Sequence, residues 1–170
     1  NTVRLYSATQ LALLEDGEVH PFMASLGLDP LDPATGPEAV ADVLERYRRR
    51  RLADLLLDQR AFAGIGNYLR AEILWEAGVS PDRRAGELAP EARARLAAAI
   101  LELPRRALST HGVTAEPALV AARRAAGLPR RPWRHNAYGS AGSACPRCET
   151  PIVRVERGGR GMFACPACQT

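Results

Sequence analysis

The four cysteines of the chain form two pairs that could hold a metal ion. Cys145 and Cys148 make one CxxC pair, Cys165 and Cys168 make the second, and sixteen residues separate the pairs. Two such pairs can aim four thiolates at one point, which completes the tetrahedral sulfur shell that zinc prefers. We therefore predict one Zn²⁺, structural because no ligand position stays open for chemistry. Disulfides are the less favoured alternative, since nothing indicates an oxidising compartment.

The segment between the cysteine pairs predicts a β-hairpin. Residues 152–155 alternate in polarity, Gly158 and Gly159 can form a turn, and residues 162–163 lead back. Arg157 and Arg160 flank the turn, where their side chains could reach a phosphate. A solvated hairpin tip is the alternative interpretation of these arginines, and a zinc hairpin alone does not identify its partner.

A glycine-containing turn, residues 63–66, precedes a predicted helix. Gly64 and Gly66 allow positive φ and the close approach of another backbone. The helix that follows presents free N–H groups and the positive end of its dipole, which together favour an anion. We expect Asn67 to cap this helix and to donate its side-chain amide to a phosphate. Taken alone, the motif is also compatible with an ordinary capped helix turn.

These motifs lie in a chain whose periodicity predicts a mainly α fold followed by the small hairpin. Residues 2–8 alternate and predict a strand, whereas residues 26–37, rich in Pro, Gly and Asp, predict a linker. Five helices are predicted. The first starts at Pro37, the second covers Leu52–Asp58, and the third covers Asn67–Ala77 and is ended by Gly78. The fourth starts near Pro90 with a kink or break at Pro104, and the fifth covers Glu116–Ala126.

Composition and charge restrict the partners. The hydrophobic fraction of 46% supports a folded core. The net charge is +4, and all 23 of the Lys and Arg residues are arginines. Nine arginines and two glutamates follow residue 120, which favours a polyanion partner for this part, although a solvated surface is the alternative. No apolar run approaches the ~20 residues that span a bilayer. We expect a cytoplasmic, nucleoid-associated monomer without a membrane partner.

The run LLLDQRAFAGIGNYLRAEILW at residues 55–75 resembles the helix–two-turn–helix signature of the formamidopyrimidine-DNA glycosylase and endonuclease VIII family. Within this family, the sequence of residues 67–75 is more similar to the endonuclease VIII branch. The cysteine pairs, Arg160 five residues before Cys165, and the final Cys168-Gln169 are similar to the family's zinc finger. Upstream, LYSA at 5–8, HPF at 20–22 and LDPLDP at 28–33 resemble the end of its amino-terminal domain and its linker.

This resemblance covers nearly the whole chain and implies a domain organisation. Residues 1–19 would be a remnant strand of an amino-terminal β-sandwich domain, and residues 20–36 the linker. Residues 37–128 would form the helix–two-turn–helix domain, residues 129–144 a connector, and residues 145–170 the four-cysteine zinc finger.

The resemblance also implies residue roles. Asn67, with Gly66 beside it, would contact the DNA backbone near a lesion, and Arg160 would grip phosphates of the damaged strand, so that a damaged base can flip out. Gln59 and Glu72 match the motif as capping or packing groups, and Tyr68 is expected in the core. The sequence departs from the family at Ser140, near which the family more often has an arginine.

The implied function is base-excision repair by a bifunctional DNA glycosylase and AP lyase acting on oxidised pyrimidines in double-stranded DNA. The family's chemistry uses an amino-terminal proline, a neighbouring glutamate and a lysine. This chain has neither a Pro-Glu start nor any lysine, so we expect it to bind DNA without cleaving it and to contain no catalytic residue. His20, His111 and His135 are expected to be surface or core histidines. The alternatives are a stand-alone, non-catalytic DNA-binding protein and a zinc-hairpin module that binds protein.

Overall fold

The computed structural model describes residues 14–129, 133–157 and 159–170, so the strand predicted at 2–8 lies outside the described residues. As predicted, the described chain is mainly helical and ends in a two-stranded hairpin. Its helices are α1 Pro21–Ala24, α2 Pro37–Arg46, α3 Leu52–Leu55, α4 Asn67–Ala77, α5 Pro90–Ser109 and α6 Pro117–Ala125, with a short 3₁₀ turn at Ala85–Glu87 between α4 and α5. The strands are β1 Val153–Arg157 and β2 Arg160–Ala164.

Helix α4 is the central element of the core. Eight of its eleven residues are buried, including Leu69, Ile73 and Leu74, because α5 packs on one side and the hairpin on another. Helix α5 presents Leu96, Ile100, Leu103 and Ala107 at helical spacing towards the same core, and α2 adds Val40 and Leu44. A helix buried on most of its surface fixes the position of any side chain at its ends, and the candidate site lies there.

The bounds of α4 agree with the prediction, and its end is set by Gly78. Gly78 has φ +67°, the left-handed conformation that commonly ends helices, and its N–H bonds back to Trp75 O. A Cβ on Gly78 would also lie 3.3 Å from the backbone oxygen of Cys168. The last turn of α4 therefore abuts the second cysteine pair directly.

Two helix predictions differ from the structure. Helix α3 ends at Leu55 and does not reach Asp58, because the Asp58 carboxylate accepts the Arg60 N–H at 2.9 Å and stabilises a turn instead. Of the kink or break predicted at Pro104, the break does not occur, since α5 continues to Ser109. The burial of Leu101, Leu103 and Ala107 around the proline compensates for the backbone hydrogen bond that proline cannot donate.

The hairpin packs against the helical domain. Strands β1 and β2 are antiparallel, with Val155 opposite Met162 and Arg157 opposite Arg160 at the turn end. Met162 is fully buried in the helical core, and the Gln169 side chain bonds to both Cys165 N at 2.8 Å and Val79 O at 3.1 Å. The finger is therefore joined to the helices through strand β2 and through the residues after the second cysteine pair.

Among the described residues, no helix combines the length and the apolar character needed to cross a membrane.

Candidate zinc centre and nucleic-acid interface

The four cysteines converge as the spacing predicts. Their Sγ atoms all lie within 4.8 Å of one another, with Cys145 Sγ 3.9 Å from Cys168 Sγ and Cys148 Sγ 3.5 Å from Cys165 Sγ. Zn–S bonds of ~2.3 Å in a tetrahedron place neighbouring sulfurs about 3.8 Å apart, so these residues fit one structural zinc ion. The Cys165 N–H bond to Gln169 and the Cys168 N–H bond to Cys165 Sγ hold the second pair in its turn.

The ionisation of these thiols is consistent with a cation site. Hydrogen bonds involving Thr150 and Cys168 lower the pKa of Cys148 to about 6, whereas the hydrogen bond to Cys148 and burial raise the pKa of Cys168. Four thiolates this close repel one another, and a divalent cation allows all four to ionise.

Trp75, in the last turn of α4, connects the cysteine cluster to the helical domain. Its indole Nε1 donates to Cys145 Sγ at 3.4 Å, and the Arg147 guanidinium carbon lies 3.9 Å from the centroid of its ring. Arg147 also donates to Trp75 O at 2.7 Å and pairs with Glu76 at 3.1 Å. The first cysteine pair is therefore attached to α4 through one aromatic side chain and one arginine.

The start of α4 meets the hairpin at the positions predicted for DNA contacts. Asn67 Nδ2 donates to Gly161 O at 2.9 Å, which brings Asn67 next to Arg160, the exposed residue before Gly161. The expectation that Asn67 caps α4 is wrong: Gly66 occupies the capping position, and Asn67 is the first helical residue. The Asn67 side chain instead bonds to Gly161 O and to the Arg70 guanidinium.

Arg70 is a site residue that sequence reasoning missed. It is fully buried, and its guanidinium donates to Asn67 Oδ1 at 2.6 Å, to Ala53 O at 3.0 Å and to Arg157 O at 3.4 Å. Its Nε has no partner among the described residues. Burial lowers the pKa of this guanidinium, Asp54 opposes that shift, and the Arg160 charge adds to it. The only signal in the sequence was the three-residue spacing from Asn67, which places both residues on one helix face.

The turn before α4 is open on the side of Gly66. A Cβ on Gly66 would meet no atom within 4 Å, and its φ of −100° is one that any residue adopts. Gly64 has φ +76°, and its N–H bonds to Gln59 Oε1 at 2.9 Å. Gln59 Nε2 donates to Ile65 O at 3.0 Å, so Gln59 packs beneath the turn as predicted. No side chain of the described residues caps the helix end here.

Glu72 is a buried carboxylate that attaches the connector, which is the segment before the finger, to helix α4. Its two oxygens accept hydrogen bonds from the Asn136, Ala137 and Tyr138 N–H groups at 2.8 to 2.9 Å and from the Thr114 hydroxyl at 2.9 Å. Burial raises the pKa of Glu72, and these four hydrogen bonds oppose that shift. The packing role predicted for Glu72 is confirmed, and the identity of its partners is new.

Aromatic side chains cover this connector. The Tyr68 ring centroid lies 5.2 Å from that of His135, and Tyr138 contacts both His135 and Phe163. Tyr68 packs against the core as expected but remains partly exposed.

The three histidines are confirmed as surface or core residues. His135 is a core histidine whose pKa burial lowers to about 4, with Arg134 adding to the shift. His111 is exposed, and His20, partly buried, caps α1 by accepting the Phe22 N–H.

Comparisons with known proteins agree with this architecture. Residues 26–117, more than half of the chain, match the model of the formamidopyrimidine-DNA glycosylase H2TH domain, and residues 142–170 match that of the zinc finger found in FPG and IleRS. Endonuclease 8 of Escherichia coli O17:K52:H18 is 37% identical over 99% of this chain.

Solved structures show the same fold. MutM (FPG) from Thermus thermophilus has a TM-score of 0.71 and 36% identity, covering 88% of this chain and 55% of its own. Lactococcus lactis Fpg (MutM), in complex with DNA containing N7-benzyl-Fapy-dG, has a TM-score of 0.70 and 25% identity, covering 88% of this chain and 53% of its own.

The chain spans 62% of the length of the E. coli relative, so these matches concern part of that protein. The helix–two-turn–helix match, the zinc-finger match and the converging cysteines all occur in one continuous order along the chain. The chain thus belongs to the formamidopyrimidine-DNA glycosylase and endonuclease VIII family, from which it carries the helix–two-turn–helix and zinc-finger domains.

Proposed function

We propose that this chain binds the backbone of damaged double-stranded DNA through the junction of α4 and the hairpin. The observation that carries the proposal is the 2.9 Å hydrogen bond from Asn67 Nδ2 to Gly161 O, which couples the two predicted DNA contacts, Asn67 and Arg160. In support of the proposal, the structure of the L. lactis relative is a complex with DNA that contains N7-benzyl-Fapy-dG.

The chemistry of this junction suits a phosphate. The first N–H groups of α4 lie beside the open face of Gly66, the amide of Asn67 has a second hydrogen to donate, and Arg160 supplies a positive charge. Because Gly66 lacks a side chain, a phosphate oxygen can approach those N–H groups directly. Zinc bound by the four cysteines would keep the hairpin folded and take no part in the reaction.

In the whole protein, we propose, this surface serves a base-excision-repair glycosylase with AP lyase activity on oxidised pyrimidines. The catalytic amine would come from outside this chain, which has no lysine, and the one carboxylate buried in α4, Glu72, is occupied by four hydrogen bonds. We also propose that the protein binds DNA as a monomer in the cytoplasm, in association with the nucleoid.

Fluorescence anisotropy on a duplex with one abasic-site analogue tests the binding step. The zinc-loaded chain should bind with an affinity that falls steeply with salt, and Asn67→Ala or Arg160→Ala should each weaken binding by about 1–3 kcal/mol. Arg105→Ala, at an exposed position of α5, is the matched control and should have little effect. Absence of binding by the zinc-loaded chain at low salt would refute the proposal.

A stand-alone, non-catalytic DNA-binding protein is the second candidate, favoured by the absence of lysine. Borohydride trapping on an abasic duplex separates the two. A covalent adduct formed by a longer gene product, and not by this chain, supports the repair enzyme. If no product of the gene can be trapped, the non-catalytic protein is the better description.

A further inference from the structure

A second group of arginines lies beside the proposed DNA contacts, although it is far from Arg160 in the sequence. The group, which we call the arginine strip, lies on the end of α2, on the turn after it and on the turn after α4. Its members are exposed: Arg46, Arg48, Arg49, Arg51, Arg83 and Arg84. Four of its members lie in the basic run at residues 46–51, and folding places Arg83 and Arg84 beside them, although the first 120 residues are acidic as a whole.

Backbone contacts hold the two turns of the strip together. Arg51 and Arg84 form an isolated antiparallel bridge, Gly86 N donates to Arg48 O at 2.9 Å, and Leu52 N donates to Arg83 O at 2.9 Å. The strip is thus part of the folded domain, and its two turns lie side by side.

The strip continues into the finger through Asp82. Arg157 donates to both carboxylate oxygens of Asp82 at 2.6 Å, and Arg51 Nη1 lies 4.0 Å from the same carboxylate. Arg157 stands opposite Arg160 in the hairpin register. Arg160, Arg157 and Arg51 therefore lie along one path from the hairpin to the strip, with the Asp82 carboxylate paired between Arg157 and Arg51.

Much of this charge is not neutralised within the chain. Glu45 pairs with Arg48 at 3.7 Å and Glu87 with Arg84 at 3.8 Å, both through exposed side chains. Arg46, Arg49 and Arg83 have no ion pair with any described residue. Exposed arginines without internal partners, next to a phosphate-binding junction, are arranged to follow a polyanionic backbone.

We propose that the arginine strip is a second phosphate-binding surface, which contacts the duplex beyond the segment held by Asn67 and Arg160. This inference rests on the proposed function, since it requires that the junction binds DNA. Arginine contacts along the backbone carry no sequence information, so the strip would add affinity and salt dependence without changing lesion preference.

The test compares two double variants of the zinc-loaded chain on two duplexes. Arg46→Ala/Arg49→Ala removes charge from the strip, and Arg95→Ala/Arg105→Ala removes the same charge from exposed positions of α5. Each duplex carries a central abasic-site analogue, one with about 10 base pairs and the other with about 24, at 3.4 Å per base pair.

On the longer duplex, the strip variant should raise Kd roughly 5- to 20-fold at low salt and reduce the slope of log Kd against log salt by about 1–2. On the shorter duplex it should match the unmodified chain. If the strip variant binds the longer duplex as tightly as the unmodified chain does, or if the α5 control loses as much affinity as the strip variant, the strip is not a phosphate-binding surface. Failure of the unmodified chain to bind either duplex would instead overturn the proposed function.

Discussion

Replacing Glu72 with glutamine should destabilise the chain more than any exposed charge change. The variant Glu72→Gln keeps one acceptor oxygen but turns an amide NH₂ towards two of the four donors that now bond the carboxylate. Each hydrogen bond to a charged group contributes about 1.5–3 kcal/mol, and a buried donor without a partner costs about 1–3 kcal/mol. Relief from burying a charge offsets part of this loss, so we expect a net loss of about 2–4 kcal/mol.

Urea unfolding of the zinc-loaded chain, followed by circular dichroism, measures this loss. Glu102→Gln is the control, because Glu102 is 62% exposed and pairs with Arg106 on the surface of α5, where such pairs contribute about 0.3–0.5 kcal/mol. Amide exchange at Asn136 adds a local measurement: the glutamine NH₂ takes the Oε2 position, where the Thr114 hydroxyl can accept but the Asn136 N–H loses its acceptor. A Glu72→Gln loss below about 1 kcal/mol, with Asn136 still protected, would refute the role assigned to this carboxylate.

Two further predictions concern pH and zinc. The unfolded His135 takes up a proton below about pH 6.5, whereas the folded one stays neutral to about pH 4, so stability should fall by up to about 3 kcal/mol as pH drops through this window. Urea titrations at several pH values measure the free energy of unfolding of the chain and of His135→Gln. The difference between these two free energies should shrink as pH falls, and a difference that does not change with pH would contradict the low pKa of His135. Chelating zinc should red-shift the fluorescence of Trp75, because the Trp75 indole bonds to Cys145 Sγ. The variant Trp133→Phe isolates this signal, and the helical circular dichroism should persist. An unchanged emission after confirmed zinc loss would show that the finger does not depend on zinc.

Local patterns determined much of this protein. The zinc ligands follow from the spacing of the four cysteines, because each pair forms its turn from neighbouring residues alone. The bounds of α4 follow from Gly66 and Gly78, which act within one helical turn of its ends. Such signals need no information about distant parts of the chain, and they could be read from the sequence.

Other features depended on contacts between distant residues. Asn67 bonds to Gly161, 94 positions away, so the local preference of asparagine for capping a helix was overridden by a tertiary partner. Nothing in the sequence singled out Arg70, yet its buried guanidinium bonds to the finger. Glu72 was expected as a capping or packing group, but its partners, which begin 42 positions away at Thr114, could not be predicted. The arginine strip could not be predicted, since only folding brings Arg51, Asp82 and Arg157 together. Residue spacing along the chain determined the metal site and most of the helices. The arrangement of charged side chains on the surface depended on the packing of the core, because that packing places distant turns side by side.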